Sequence, residues 1–132
     1  MSKKISNRIS ERIIMSIKNA LASLAVKDLA SAVSWYEQLL GKPADSTPMA
    51  EVAEWEFERG GWLQVYQEPG RAGGGSVTLA ISNLEKQIAL LKKYNIDPGQ
   101  PIVSEKLKLV MIKDPDGNSI AFVEAIDQSM AR

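Results

Sequence analysis

The side chains that most often do chemistry near neutral pH are missing from this chain. Among its 132 residues there is no histidine and no cysteine. Imidazole acid–base work, thiolate nucleophiles, disulfides and the usual nitrogen and sulfur metal ligands are thereby excluded. Carboxylates and hydroxyls remain. Glu54, Glu56 and Glu58 alternate with Trp55 and Phe57, which reads as one solvated strand face rather than an acid–base pair. A mostly carboxylate metal site could draw on Glu54, Glu56 or Glu124, but solvated surface charge fits them better. Asp114 and Asp116 flank Pro115 ahead of Gly117-Asn118, where such side chains bond their own turn. Four of the seven residues Pro69–Gly75 are glycine, yet the stretch lacks the Lys-Ser/Thr ending of a phosphate loop and a strand pattern follows it. It reads as a linker, mobile or making close backbone turns. No spacing points to a Ser–Lys or Glu-based mechanism. Enzymatic status stays open and leans away from catalysis.

The elements that must position any site are legible from periodicity. Leu21–Val26 alternates as a strand, and Asp28 then takes a helix-cap position. Leu29, Ala32, Val33, Tyr36 and Leu40 mark one helical face, which Gly41 and Pro43 end. Residues 43–51 form a connector or short edge strand before a hairpin, Val52–Arg59 with Trp62–Gln67. Val77–Ile81 is a second strand, Asn83 a second cap, and Leu84, Ile88 and Leu91 a second helical face. A short strand near Pro101–Ser104 precedes the closing hairpin, Leu107–Ile112 and Ile120–Val123 around Asp114-Pro-Asp-Gly-Asn118. The two halves repeat each other. Leu24-Ala-Val-Lys-Asp-Leu29 overlays Leu79-Ala-Ile-Ser-Asn-Leu84 at an offset of 55, and the hairpins overlay at 57, Gly60 on Gly117.

A βαβββ unit written twice, with Val26-Lys-Asp-Leu opening the first helix and Lys113-Asp-Pro-Asp-Gly-Asn-Ser-Ile-Ala-Phe-Val-Glu124 closing the chain, resembles the vicinal oxygen chelate superfamily. That group includes glyoxalase I, extradiol dioxygenases, and fosfomycin and bleomycin resistance proteins. The resemblance covers roughly residues 20–126 and implies an α+β fold. In it, two βαβββ modules in tandem form a half-open barrel around a cleft, with helices outside. The expected segments are an N-terminal extension (1–18), a first module (19–69), a glycine-rich linker (70–75), a second module (76–126) and a tail (127–132). Within the extension, Ile5, Ile9 and Ile13 recur among Lys3, Lys4, Arg8, Arg12 and Lys18. A basic amphipathic helix lying on a membrane or partner is one reading of these residues; a frayed or loosely docked leader is the one preferred.

The resemblance also implies where a site would lie. Metal-dependent members carry ligands on the first and last strands of each module, positions that fall here on Leu21, Ser76, Gln64 and Ala121. Those side chains suit no divalent ion, so a metal-free member with no cofactor is expected. Alternation turns Leu21, Ser23, Trp62, Gln64, Tyr66, Ser76, Thr78, Ala121 and Val123 into the cleft, with Trp55 across the hairpin either joining them or filling space. Small residues, hydroxyls, an amide and aromatics suit a small amphipathic or aromatic molecule. Three functions are in view: a binding or sequestering protein, a metal-independent enzyme of the glyoxalase or dioxygenase kind, and a ligand-free structural or regulatory dimer. A homodimer is expected because relatives of this design pair modules between chains. Sixteen basic residues balance sixteen acidic ones, so neither nucleic acid nor membrane is an expected partner. No apolar run is long enough for a signal core or a span, which makes the cytoplasm the expected location.

Overall fold

The computed structural model describes residues 16–126. Strand β1 (Leu21–Val26) leads into helix α1 (Leu29–Leu40), followed by β2 (Ser46–Met49), β3 (Val52–Glu56) and β4 (Trp62–Gln67). A 3-10 turn at Pro69–Arg71 separates this unit from β5 (Ser76–Ala80), α2 (Leu84–Lys93), β6 (Ile102–Val103), β7 (Leu107–Lys113) and β8 (Ser119–Ala125). The fold is the expected α+β tandem of βαβββ modules. The first arm of the hairpin stops at Glu56 rather than Arg59, because the Phe57 N–H already donates to the Gly61 carbonyl and Gly60 turns at φ 90°. The strand expected near Pro101–Ser104 contracts to two residues. The isoleucine run Ile5–Ile13 of the extension and the tail 127–132 lie outside the described residues.

Both helices start where the sequence places a cap. Asp28 accepts from the Ser31 hydroxyl at 2.6 Å and from the Ser31 N–H at 2.9 Å. These bonds, the hydroxyl's first, hold its carboxyl below the usual carboxylate range. Asn83 accepts from the Lys86 N–H at 3.0 Å in the second module.

The strands form two four-stranded sheets, ordered β1-β4-β3-β2 and β5-β8-β7-β6, with β1 and β5 parallel to β4 and β8. Period-two alternation puts Leu24, Val26, Leu63 and Val65 beneath the helices in one sheet and Val110, Ile112, Ile120 and Phe122 in the other. These side chains join Tyr36, Leu39 and Leu91 in one core that spans both modules. Among the described residues, no helix covers the other face of either sheet.

The modules meet where β1 lies beside β5. No hydrogen-bonded ladder crosses this seam, since the two strands belong to different sheets. Glycines let the backbones approach instead. A Cβ on Gly75 would sit 2.8 Å from a Leu24 methyl, and one on Gly73, at φ 90°, would sit 2.2 Å from the Asp116 carbonyl. The glycine-rich segment thus packs closely against Leu24 and the Asp116-Gly117 turn.

A buried polar network fastens the seam. The Tyr36 hydroxyl donates to Asp114 Oδ2 at 2.8 Å, while Asp114 Oδ1 accepts the N–H groups of Asp116 and Asn118. Asn118 Nδ2 donates to the Ala25 carbonyl and to Asp114 Oδ2, both at 2.8 Å, and Asn118 Oδ1 accepts the Gly75 N–H. Asp116 Oδ2 accepts from the Lys27 N–H at 2.9 Å. The final turn therefore bonds its own backbone, as read from sequence, and also clasps the first module. Burial, reinforced by the Asp114 charge, pushes the Tyr36 phenol far above its ordinary range.

Candidate functional site

The uncovered faces of the two sheets are built by the same alternation that builds the core. Pairing of β1 with β4 aligns Ser23 with Gln64, and pairing of β3 with β4 aligns Glu54 with Gln64 and Glu56 with Trp62. In the second sheet Thr78 aligns with Ala121, and Met111 with Ala121. Of the expected cleft residues, Leu21, Ser23, Trp62, Gln64, Tyr66, Ser76, Thr78 and Ala121 are exposed or half-buried on these faces. Val123 is on the same face but buried, at 8% exposure.

Two placements depart from the sequence reading. Trp55 pairs with Leu63, so it turns under α1, fully buried beside Tyr36 with its Nε1 donating to the Lys42 carbonyl at 3.0 Å. It belongs to the core and not to the cleft. The same register turns Glu54 and Glu56 onto the uncovered face beside Gln64 and Trp62, rather than onto a separate solvated face. The signal was present in the sequence. In an antiparallel hairpin, cross-strand partners share a face, so inward Trp62 and Gln64 require inward Glu56 and Glu54 once the Gly60-Gly61 turn fixes the register.

The polar groups of the first face form a row. Ser23 Oγ lies 3.1 Å from Gln64 Oε1, and Gln64 Nε2 donates to Glu54 Oε2 at 2.8 Å. The corresponding residues of the second face, Thr78, Ala121 and Met111, contain one hydroxyl and no charge.

Toward the start of β1 and the end of β5 the seam opens into a crevice of about 910 Å³. Leu21, Trp62, Thr78 and Val123 line it from the uncovered faces. Ala22, Leu39, Leu40, Phe57, Val77, Leu79, Ile81 and Phe122 line it from the helix side. Ala22, Val77, Leu79, Ile81 and Phe122 alternate onto the helix-covered faces and pack against the core. They reach the crevice because β1 and β5 share no ladder to seal the gap. Ser23, Gln64, Tyr66, Ser76 and Ala121 lie on the uncovered faces outside it.

The divalent metal that the fold class implies would draw on Leu21, Gln64, Ser76 and Ala121. Leu21 and Ala121 offer no donor atom, Ser76 a weak one, and the Gln64 amide already bonds to Ser23 and Glu54. Among the described residues, no three His, Cys, Asp or Glu side chains are grouped to hold an ion. These residues do not fit the family's divalent metal.

Two βαβββ modules in tandem, meeting where β1 lies beside β5, are the fold of the vicinal oxygen chelate superfamily. The solved structures place the chain among glyoxalase/bleomycin resistance proteins in fold. It is similar to a glyoxalase/bleomycin resistance protein from Catenulispora acidiphila, at 29% identity and a TM-score of 0.74, over 82% of this chain and 98% of that one. It is also similar to a bleomycin resistance determinant encoded on the transposon Tn5 (18% identity, TM-score 0.70, 85% of this chain and 99% of that one). TnmS3, an antibiotic binding protein from a Streptomyces species, aligns at 19% identity and a TM-score of 0.71, over 83% and 96% of the two chains. Neither a protein-family model nor a curated protein matches the chain.

Proposed function

We propose that this chain binds or sequesters a small amphipathic or aromatic molecule in the cleft bounded by its uncovered sheet faces, without a metal. The observation that carries this reading is the mixed composition of the uncovered faces, half-buried Trp62, Gln64 and Tyr66 on one sheet and small side chains on the other, with Trp62 also lining the largely apolar crevice. Two proteins of the same fold, a bleomycin resistance determinant and an antibiotic binding protein, are named for dealings with small molecules. Naphthalene compounds should change tryptophan emission saturably, and Trp62→Phe should remove most of that change. Trp62→Ala should weaken binding by ~1.5–3 kcal/mol for a lost aromatic contact. Addition of EDTA should leave the titration unaltered. A broad panel in which no compound perturbs Trp62 overturns the reading and leaves a filled cleft without a ligand.

The working unit in this reading is a homodimer in the cytoplasm. Met49 on β2 and Ile102 on β6 are each more than half exposed, and among the described residues no further strand pairs beyond β2 or β6. Among the described residues no helix is long and apolar enough to cross a membrane. Light scattering at micromolar concentration should give twice the 14.5 kDa of one chain. A mass near one chain removes the dimer, and recovery of the protein in a membrane or extracellular fraction removes the location.

A further inference from the structure

The crevice at the seam has a helix-side wall that the uncovered sheet faces do not share. Leu39, Leu40 and Phe57 of the first module and Val77, Leu79 and Ile81 of the second line it. Its volume of about 910 Å³ is that of a small-molecule site, and it exists because β1 and β5 join no common ladder.

One lining residue breaks the pattern of its helix. Gln87 stands three residues after Leu84 and four before Leu91, both buried, so it shares the core-facing stripe of α2. At the repeat offset of 55 its counterpart is Ala32, which is buried and apolar, so the amide belongs to the second module alone. Gln87 lines the crevice, yet its Nε2 is buried and has no hydrogen-bond partner among the described residues. An orphaned buried donor destabilises the fold, whereas leucine at this position would not. The terminal torsion of glutamine is broad, and turning it toward the crevice breaks no bond of that donor. The charged residues of the lining are Glu58, Arg59 and Glu124, an acidic balance that disfavours an anionic ligand.

Beyond the cleft reading and without resting on it, we propose that the crevice is a second site, which takes an acyl chain bearing an uncharged carbonyl. The chain lies against the aliphatic helix-side wall, and the carbonyl oxygen accepts from Gln87 Nε2. Burial of the chain supplies the affinity, and the amide selects the head group.

The test follows the amide chemical shifts of isotope-labelled full-length protein as octanamide is added. A saturable shift of the Gln87 side-chain NH2 is expected, with backbone shifts at Leu40, Phe57 and Ile81 and little change at Gln64 or Tyr66. Octanamide should bind about tenfold more tightly than hexanamide, because two more methylenes are buried, and more tightly than octanoate. Gln87→Leu should bind octanamide about tenfold more weakly. Its affinity for toluene, which has no carbonyl, should stay within about twofold, and its urea midpoint should not fall. Shifts centred on Ser23, Gln64 and Tyr66 overturn the proposal while supporting the cleft reading. The absence of any saturable shift also overturns it and leaves the cleft reading to its own naphthalene titration. A loss in Gln87→Leu that falls equally on toluene overturns it too, as a mere packing effect. Binding seen only after removal of residues 1–15, or only on dilution to a monomer, contradicts it as well, since the chain's own start or a second copy then fills the crevice.

Discussion

Asn118→Ala is expected to destabilise the protein by about 4 kcal/mol, although the residue lies in a surface turn by sequence. Asn118 is fully buried, and its side chain satisfies the Ala25 carbonyl, the Gly75 N–H and one oxygen of Asp114. Alanine leaves the buried Ala25 carbonyl and the part-buried Gly75 N–H without this partner, at about 1–3 kcal/mol each. Tyr36→Phe, which removes a single hydrogen bond to Asp114, should cost less, about 1–2 kcal/mol. Urea denaturation of the three proteins checks the order. A midpoint for Asn118→Ala indistinguishable from wild type means that the final turn does not clasp the first module.

The second large effect concerns facing on β8. Ile120 is fully buried against the core, whereas Ala121 is half-buried on the uncovered face. Ile120→Glu buries a carboxylate with no partner and removes apolar contacts. The expected cost is ~4–5 kcal/mol or more, comparable with the whole stability margin of a domain of this size. Ala121→Glu reaches solvent and should shift the denaturation midpoint little. Soluble yield and urea midpoints distinguish the two. Equal damage, or the reverse order, contradicts the register that assigns every cleft residue from Leu21 to Val123.

Most of the fold could be read before any coordinates because each module states it independently. Asp28 and Asn83 both cap helices, both hairpins turn on glycine, and the offsets of 55 and 57 agree to within two residues. Such agreement between local signals and a repeated plan leaves few alternatives. The site was less legible for two physical reasons. The facing of β3 follows from its antiparallel partner, and Glu54-Trp55-Glu56 considered by itself assigns the glutamates to solvent and the tryptophan to either side. The crevice depends on the splay between β1 and β5, which no ladder holds together. Pairing between modules leaves no periodic trace in either strand. Gly73 and Gly75 illustrate the same limit, since glycine-rich sequence is equally compatible with slack and with the tight packing found at the seam.

The most direct measurement is amide chemical-shift mapping of isotope-labelled protein titrated with 2-naphthylmethanol to saturation. The expected result is one saturable set of shifts concentrated at Ser23, Glu54, Gln64, Thr78 and Ala121, with Val65, Val110 and other core amides far less affected. Shifts confined to the helices, or no saturable shift at any concentration reached, contradict a ligand cleft on the uncovered sheet faces.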